Sequence, residues 1–97
     1  MSKVYIAGPI TGHDDYIVKF NSAEGRIRTR GHEPVNPARN EANDYKGYID
    51  KGLEQLKECD AIYMLRGWEL SKGALLERSY AQTVGLTIMY EDCEEPK

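Results

Sequence analysis

Apolar residues fall along the chain in short continuous runs that alternate with stretches of helical spacing, and this alternation predicts the order of elements. Lys3-Val-Tyr-Ile-Ala-Gly8 is a run of strand-favouring side chains stopped by Gly8 and Pro9, which predicts a buried first strand leading into a loop. From Asp15 to about Arg30, Tyr16, Phe20, Ala23 and Ile27 recur at steps of four, three and four. They line one side of a helix that Gly31 stops. His32-Glu-Pro-Val-Asn-Pro37 holds two prolines, so a second strand there must be brief and near a sheet edge. Asn43 or Asp44 caps a second helix in which Tyr45, Tyr48, Ile49, Leu53 and Leu56 repeat up to Cys59. Gly52 inside it costs about 1 kcal/mol relative to alanine. Asp60-Ala-Ile-Tyr-Met-Leu65 is apolar after a single acid, the pattern of a strand buried on both faces of a parallel sheet. Ser71 then caps a third helix that runs through Ala74, Leu75, Ser79 and Ala81 to Gly85, and Leu86-Thr-Ile-Met-Tyr90 is the last strand.

Strands alternating with helices of this length imply one α/β domain over residues 1–97. The predicted architecture is a small doubly wound, flavodoxin- or Rossmann-like four-stranded parallel sheet with helices on both faces. In such sheets ligands bind outside the carboxyl ends of the strands where the strand order reverses, which directs attention to loops 8–15, 36–44 and 66–73. The tail 91–97 is expected to fray.

Composition narrows the class. A chain of 97 residues has one small core and modest stability, which favours association into a homodimer or larger assembly. Thirteen basic against sixteen acidic residues, net charge −3, leave no electrostatic footprint for nucleic acid or a membrane surface. Cys59 and Cys93 have neither zinc-site nor disulfide-scaffold spacing, and the apolar run before Gly8 is too short for a signal peptide or a span. A cytoplasmic protein with reduced thiols is expected. His13 and His32 lack the spacing of metal ligands, so neither a metal nor another cofactor is expected.

Two segments carry candidate chemistry. Ala7-Gly8-Pro9-Ile10-Thr11-Gly12 is a glycine-bounded loop that brings backbone close to a ligand and turns N–H groups toward an anion; it is also an ordinary strand-to-helix turn. In Gly67-Trp68-Glu69-Leu70-Ser71-Lys72-Gly73-Ala74-Leu75-Leu76-Glu77, Ser71 stands at a helix start suited to phosphate, and Glu77 lies about two turns in. Facing the sheet, Glu77 is desolvated and becomes a nucleophile or an acid/base group; facing water, it is a common helix glutamate. Tyr5, Tyr48 and Trp68 either stack on a base or pack the core, and Asn36 and Asn40 either bond a ligand or make turns. Asp60 is read as capping N–H groups at a strand start.

Taken in order, Tyr5-Ile-Ala-Gly-Pro-Ile-Thr-Gly12, Gly31-His-Glu-Pro-Val-Asn-Pro-Ala38, Cys59-Asp-Ala-Ile-Tyr-Met-Leu65, Gly67-Trp-Glu-Leu-Ser-Lys-Gly-Ala74 and Glu77 resemble the DUF4406 family. These are small bacterial and phage proteins grouped with the nucleoside 2-deoxyribosyltransferases and nucleotide N-hydrolases, and the resemblance spans about residues 3–91. It implies that Glu77 attacks the anomeric carbon of a nucleoside or nucleotide and releases the base. Water or a second base then resolves the covalent intermediate. Ser71, where free-nucleoside transferases carry an aspartate, implies a 5′-monophosphate substrate held by Gly8, Thr11, Gly12, Ser71 and the N-terminus of the third helix, with Tyr5, Pro9, Asn36, Trp68 and Gly73 as further substrate contacts. Such relatives complete their pockets from a neighbouring subunit. They also carry a second acid eight residues before Asp60, where this chain has Gly52; Asp50, about 200° around the helix, or Glu54 is the expected substitute. The alternatives are a nucleotide-binding protein that kept the pocket and lost the chemistry, and an interaction protein that uses the fold only as a scaffold.

Overall fold

A single parallel sheet organises the chain. The computed structural model describes residues 2–10, 15–39 and 45–91. Four strands, β1 (Lys3–Ala7), β2 (Glu33–Val35), β3 (Ala61–Met64) and β4 (Thr87–Tyr90), alternate with three helices, α1 (Tyr16–Thr29), α2 (Tyr45–Lys57) and α3 (Lys72–Val84). The sheet order is β2-β1-β3-β4, with each neighbouring pair parallel. Strand order reverses at β1, whose two neighbours are β2 and β3. The switch point thus falls beside the loop that follows Ala7.

Side chains alternate across the sheet with a period of two. Val4, Ile6, Ala61, Tyr63 and Leu65 face α1, meeting Phe20, Ala23 and Ile27. Tyr5, Ala7, Ile62 and Met64 face the other way, toward Leu56 of α2 and Ala74 and Ala81 of α3. Each fully buried large side chain contributes about 1.5–3 kcal/mol relative to exposure. Because both faces are covered, β1 and β3 read as continuous apolar runs with no polar alternation.

The brief second strand lies at the sheet edge, as Pro34 within it and Pro37 just after it favour, and the last strand occupies the opposite edge. Asp60 opens β3 as read, its Oδ2 accepting the Lys3 N–H at 2.9 Å. Asn43 and Asp44, the expected caps of α2, lie outside the described residues. The expectation of fraying from residue 91 fails at its first position. Glu91 accepts hydrogen bonds from the Arg26 guanidinium and the Arg66 backbone N–H, and those bonds hold it against α1 and the β3–α3 loop.

Candidate functional site

The inward face of α3 is built from Gly73, Ala74, Glu77 and Ala81, spaced three and four apart. Three of these are small, which lets the helix lie close to the sheet and carries Glu77 inward with it. Its residual exposure is 6 %. Tyr5, at the middle of β1, points to the same side, and its hydroxyl donates to Glu77 Oε2 at 2.5 Å. Among the described residues this is the hydrogen bond Glu77 receives.

Burial pushes the Glu77 carboxyl up to about 7, and the Tyr5 hydrogen bond partly offsets that rise. Burial first, and then the adjacent Glu77 charge, hold the Tyr5 phenol far above its ordinary range, so it remains a protonated donor. Glu77 is therefore near half-ionised at neutral pH, the poise required of a carboxylate that must give up and regain charge during a reaction.

Beside this pair lies a cavity of about 100 Å³ at the carboxyl end of β1. Ile6, Ile10 and Phe20 form one apolar wall, and Tyr48 and Ile49 of α2 form another. Gly8, Pro37, Ser71 and Gly73 stand around it with Tyr5 and Glu77. Ser71 caps α3, its Oγ accepting the Ala74 N–H at 3.2 Å; the hydroxyl hydrogen remains a donor, next to backbone N–H groups of the first turn.

The glycine in α2 has a steric cause. A Cβ added at Gly52 would lie 2.5 Å from Tyr5 Oη and 2.8 Å from Glu77 Oε2. The helix thus passes directly over the Tyr5–Glu77 pair, at the position where the resemblance anticipates a second acid. Neither proposed substitute reaches the cavity. Asp50 is exposed on the outer face of α2 and pairs with Lys46 at 3.0 Å, and Glu54 is exposed on the same helix. Two residues along a helix is more than half a turn, which sends the Asp50 carboxylate into solvent.

Other candidates divide. Tyr5, Gly8, Ser71, Gly73 and Glu77 converge on the cavity. Asn36 does not: its amide donates to Asn21 Oδ1 and Glu24 Oε1 at 3.1 and 3.2 Å, and its carbonyl accepts the Ala38 N–H, so it ties a turn to α1. Trp68 also packs elsewhere, 5.8 Å from the Tyr90 ring and under the Arg78 guanidinium. Pro9 is buried against the neighbouring loop, where a Cβ added at Gly67 would meet its Cγ at 3.6 Å. Thr11, Gly12 and Asn40 lie outside the described residues. The cavity walls Ile10, Phe20, Ile49 and Pro37 were not singled out from the sequence as site residues; Phe20 and Ile49 read there only as core positions. Burial pushes the Cys59 thiol up to about 11, leaving it an inert group that donates to the Gln55 carbonyl. Among the described residues no cluster of metal-ligating side chains occurs, and no helix is long and apolar enough to cross a membrane.

Comparison with known proteins bears on the fold and the family. The 2-desoxiribosyltransferase from Leishmania mexicana superposes with a TM-score of 0.74 at 25 % sequence identity, covering 93 % of this chain and 63 % of that one. The chain therefore spans less than two thirds of that protein's length. No curated protein matches it. The four-stranded parallel sheet with three helices is a deoxyribosyltransferase-like Rossmann-type fold, and the relationship is to the nucleoside 2-deoxyribosyltransferases. A family model described as a domain of unknown function, DUF4406, matches residues 2–90, and the chain belongs to that family.

Proposed function

We propose that this protein cleaves the N-glycosidic bond of a nucleoside or deoxynucleoside 5′-monophosphate, with Glu77 as nucleophile. The observation that carries this is a buried glutamate, held by a tyrosine hydroxyl, in the wall of a cavity that also receives the N-terminus of α3. The phosphate lies against Ser71, Gly73 and Gly8, where a serine hydroxyl and first-turn N–H groups favour an anion. The sugar then lies over Glu77, and the apolar walls take the base.

In the first step the ionised Glu77 carboxylate forms a bond to C1′ while the C1′–N bond breaks. The electron pair leaves with the base, which takes a proton from solvent. Water then attacks C1′, loses its proton to solvent, and expels the carboxylate, restoring Glu77. Tyr5 holds the carboxylate in place through both steps, and transfer to a second base in place of water gives base exchange.

Incubation with a panel of deoxynucleosides and their 5′-monophosphates, followed by chromatography for free base, tests this. Wild type should release base and Glu77→Ala should not. A second reading, nucleotide binding without chemistry, is favoured by one observation: no acid stands at position 52, and Asp50 and Glu54 do not replace it. Thermal stabilisation by monophosphates without base release would select that reading. Self-association is part of the same proposal, since Ile17, Val18, Leu70, Leu75, Leu76 and Val84 are exposed; analytical ultracentrifugation should give at least a dimer mass.

A further inference from the structure

The carboxyl end of β4 grips the β3–α3 loop at two points. Glu91, with only 15 % of its side chain exposed, accepts from Arg26 Nη2 of α1 at 2.5 Å and from the Arg66 backbone N–H at 2.8 Å. One residue earlier, the Tyr90 ring packs on Trp68, and its hydroxyl accepts from Arg78 Nε at 3.0 Å. A single carboxylate thus joins β4, α1 and the loop that rises from β3. Charge-assisted bonds of this kind, partly shielded from water, are about twice as strong as neutral ones.

From that anchored amide a hydrogen-bonded track leads to the site. The Trp68 N–H donates to the Leu65 carbonyl at 3.1 Å, Leu70 to Gly67 at 3.1 Å, and Ser71 to Trp68 at 3.0 Å. Gly67, at φ +90°, makes the turn that starts it. Ser71 therefore stands at the end of a short rigid segment whose beginning is held by Glu91.

We infer that Glu91 is a positioning residue, which fixes where Ser71 and the first turn of α3 stand and thereby sets the preference for a substrate carrying a 5′-phosphate. This rests on the reading above that those groups take the phosphate. Glu91 touches no part of the cavity, so its removal changes recognition of the phosphate and leaves the Tyr5–Glu77 pair intact.

The test combines amide hydrogen exchange with kinetics on the full chain. In Glu91→Ala, the amides of Arg66 to Ser71 should exchange on the order of tenfold faster, as expected for loss of an interaction of about 1.4 kcal/mol, while Tyr5 and Ile62 in the central strands keep their protection. KM for the 5′-monophosphate should rise on the order of tenfold, with kcat and the KM for the free nucleoside within about twofold of wild type. Glu91→Gln retains an acceptor for the Arg66 N–H and should lie between wild type and Glu91→Ala in both readouts. It supplies the same ranking if Glu91→Ala loses its central-strand protection. Equal KM increases for both substrates, or unchanged exchange over 66–71, would overturn the inference. Should wild type release base from neither substrate, the proposed function falls and the phosphate preference with it, while the exchange data still decide whether Glu91 holds the loop.

Discussion

Replacing Glu77 with glutamine isolates the energetic consequence of burying an ionisable group at the site. In the unfolded chain this carboxyl titrates near 4.5; in the folded protein burial lifts it to about 7. The folded state therefore holds the proton more tightly, and between those two values stability must fall as pH rises. The contribution is fully present below about 4.5 and is lost as pH passes through about 7. At about 1.4 kcal/mol per pH unit, the difference across that window is roughly 3 kcal/mol. Glutamine keeps the shape and an acceptor for Tyr5 but does not titrate. Wild type and Glu77→Gln should melt together near pH 4.5 and separate steadily above it, the variant becoming the more stable by roughly 10 °C or more at pH 8 for a domain of this size. All other titrating groups are common to both proteins and cancel in the difference. Differential scanning calorimetry from pH 4 to 8 reads it directly. Parallel melting curves across that range would refute the placement of Glu77 in a desolvated wall.

Further outcomes follow from the same geometry. Gly52→Ala sets two effects of opposite sign against each other: helix propensity favours alanine by about 1 kcal/mol, whereas the clash with Tyr5 and Glu77 costs about 1–3 kcal/mol. Net destabilisation in a urea melt, with loss of base release, is expected. Tyr5→Phe removes the bond that lowers the Glu77 pKa, so the rise of base-release rate with pH, centred near 7 in wild type, should move to higher pH in a pH–rate profile. Ser71→Ala loses the α3 cap, costing about 1 kcal/mol of stability, and should also abolish most of the thermal stabilisation given by a 5′-monophosphate over the free nucleoside.

Much of the fold was legible because strands buried on both faces announce themselves as unbroken apolar runs, and β1 and β3 are of that kind. The Ser71 cap and the switch-point cavity followed from local rules for helix starts and parallel sheets. Glu77 was a different case. It shares one helix face with Ala74 and Ala81, three and four residues away, but Leu75 and Leu76 offer a competing apolar face, and only the packing of α3 on β1 decides which is buried. Gly52 offered a cue that spacing could have exposed: it lies four residues before Leu56, on the buried side of α2, so its missing side chain marks a close approach. Trp68 and Asn36, which stand away from the cavity, were ambiguous in the sequence for a common reason. An aromatic ring or an amide suits a ligand and a structural partner equally well, and Tyr90 with Arg78, and Asn21 with Glu24, claim them through contacts distant in sequence.

The crowding over the Tyr5 hydroxyl has a consequence for how such chains diverge. A side chain at position 52 and a tyrosine at position 5 compete for one volume, so position 52 cannot gain a side chain while Tyr5 and the helix stay as they are. Passage between a glycine and an acid there has to run through a smaller residue at position 5 or a displaced helix. Among natural variants of this chain, the two positions should exchange as a pair, and an intermediate holding both bulky groups should be absent.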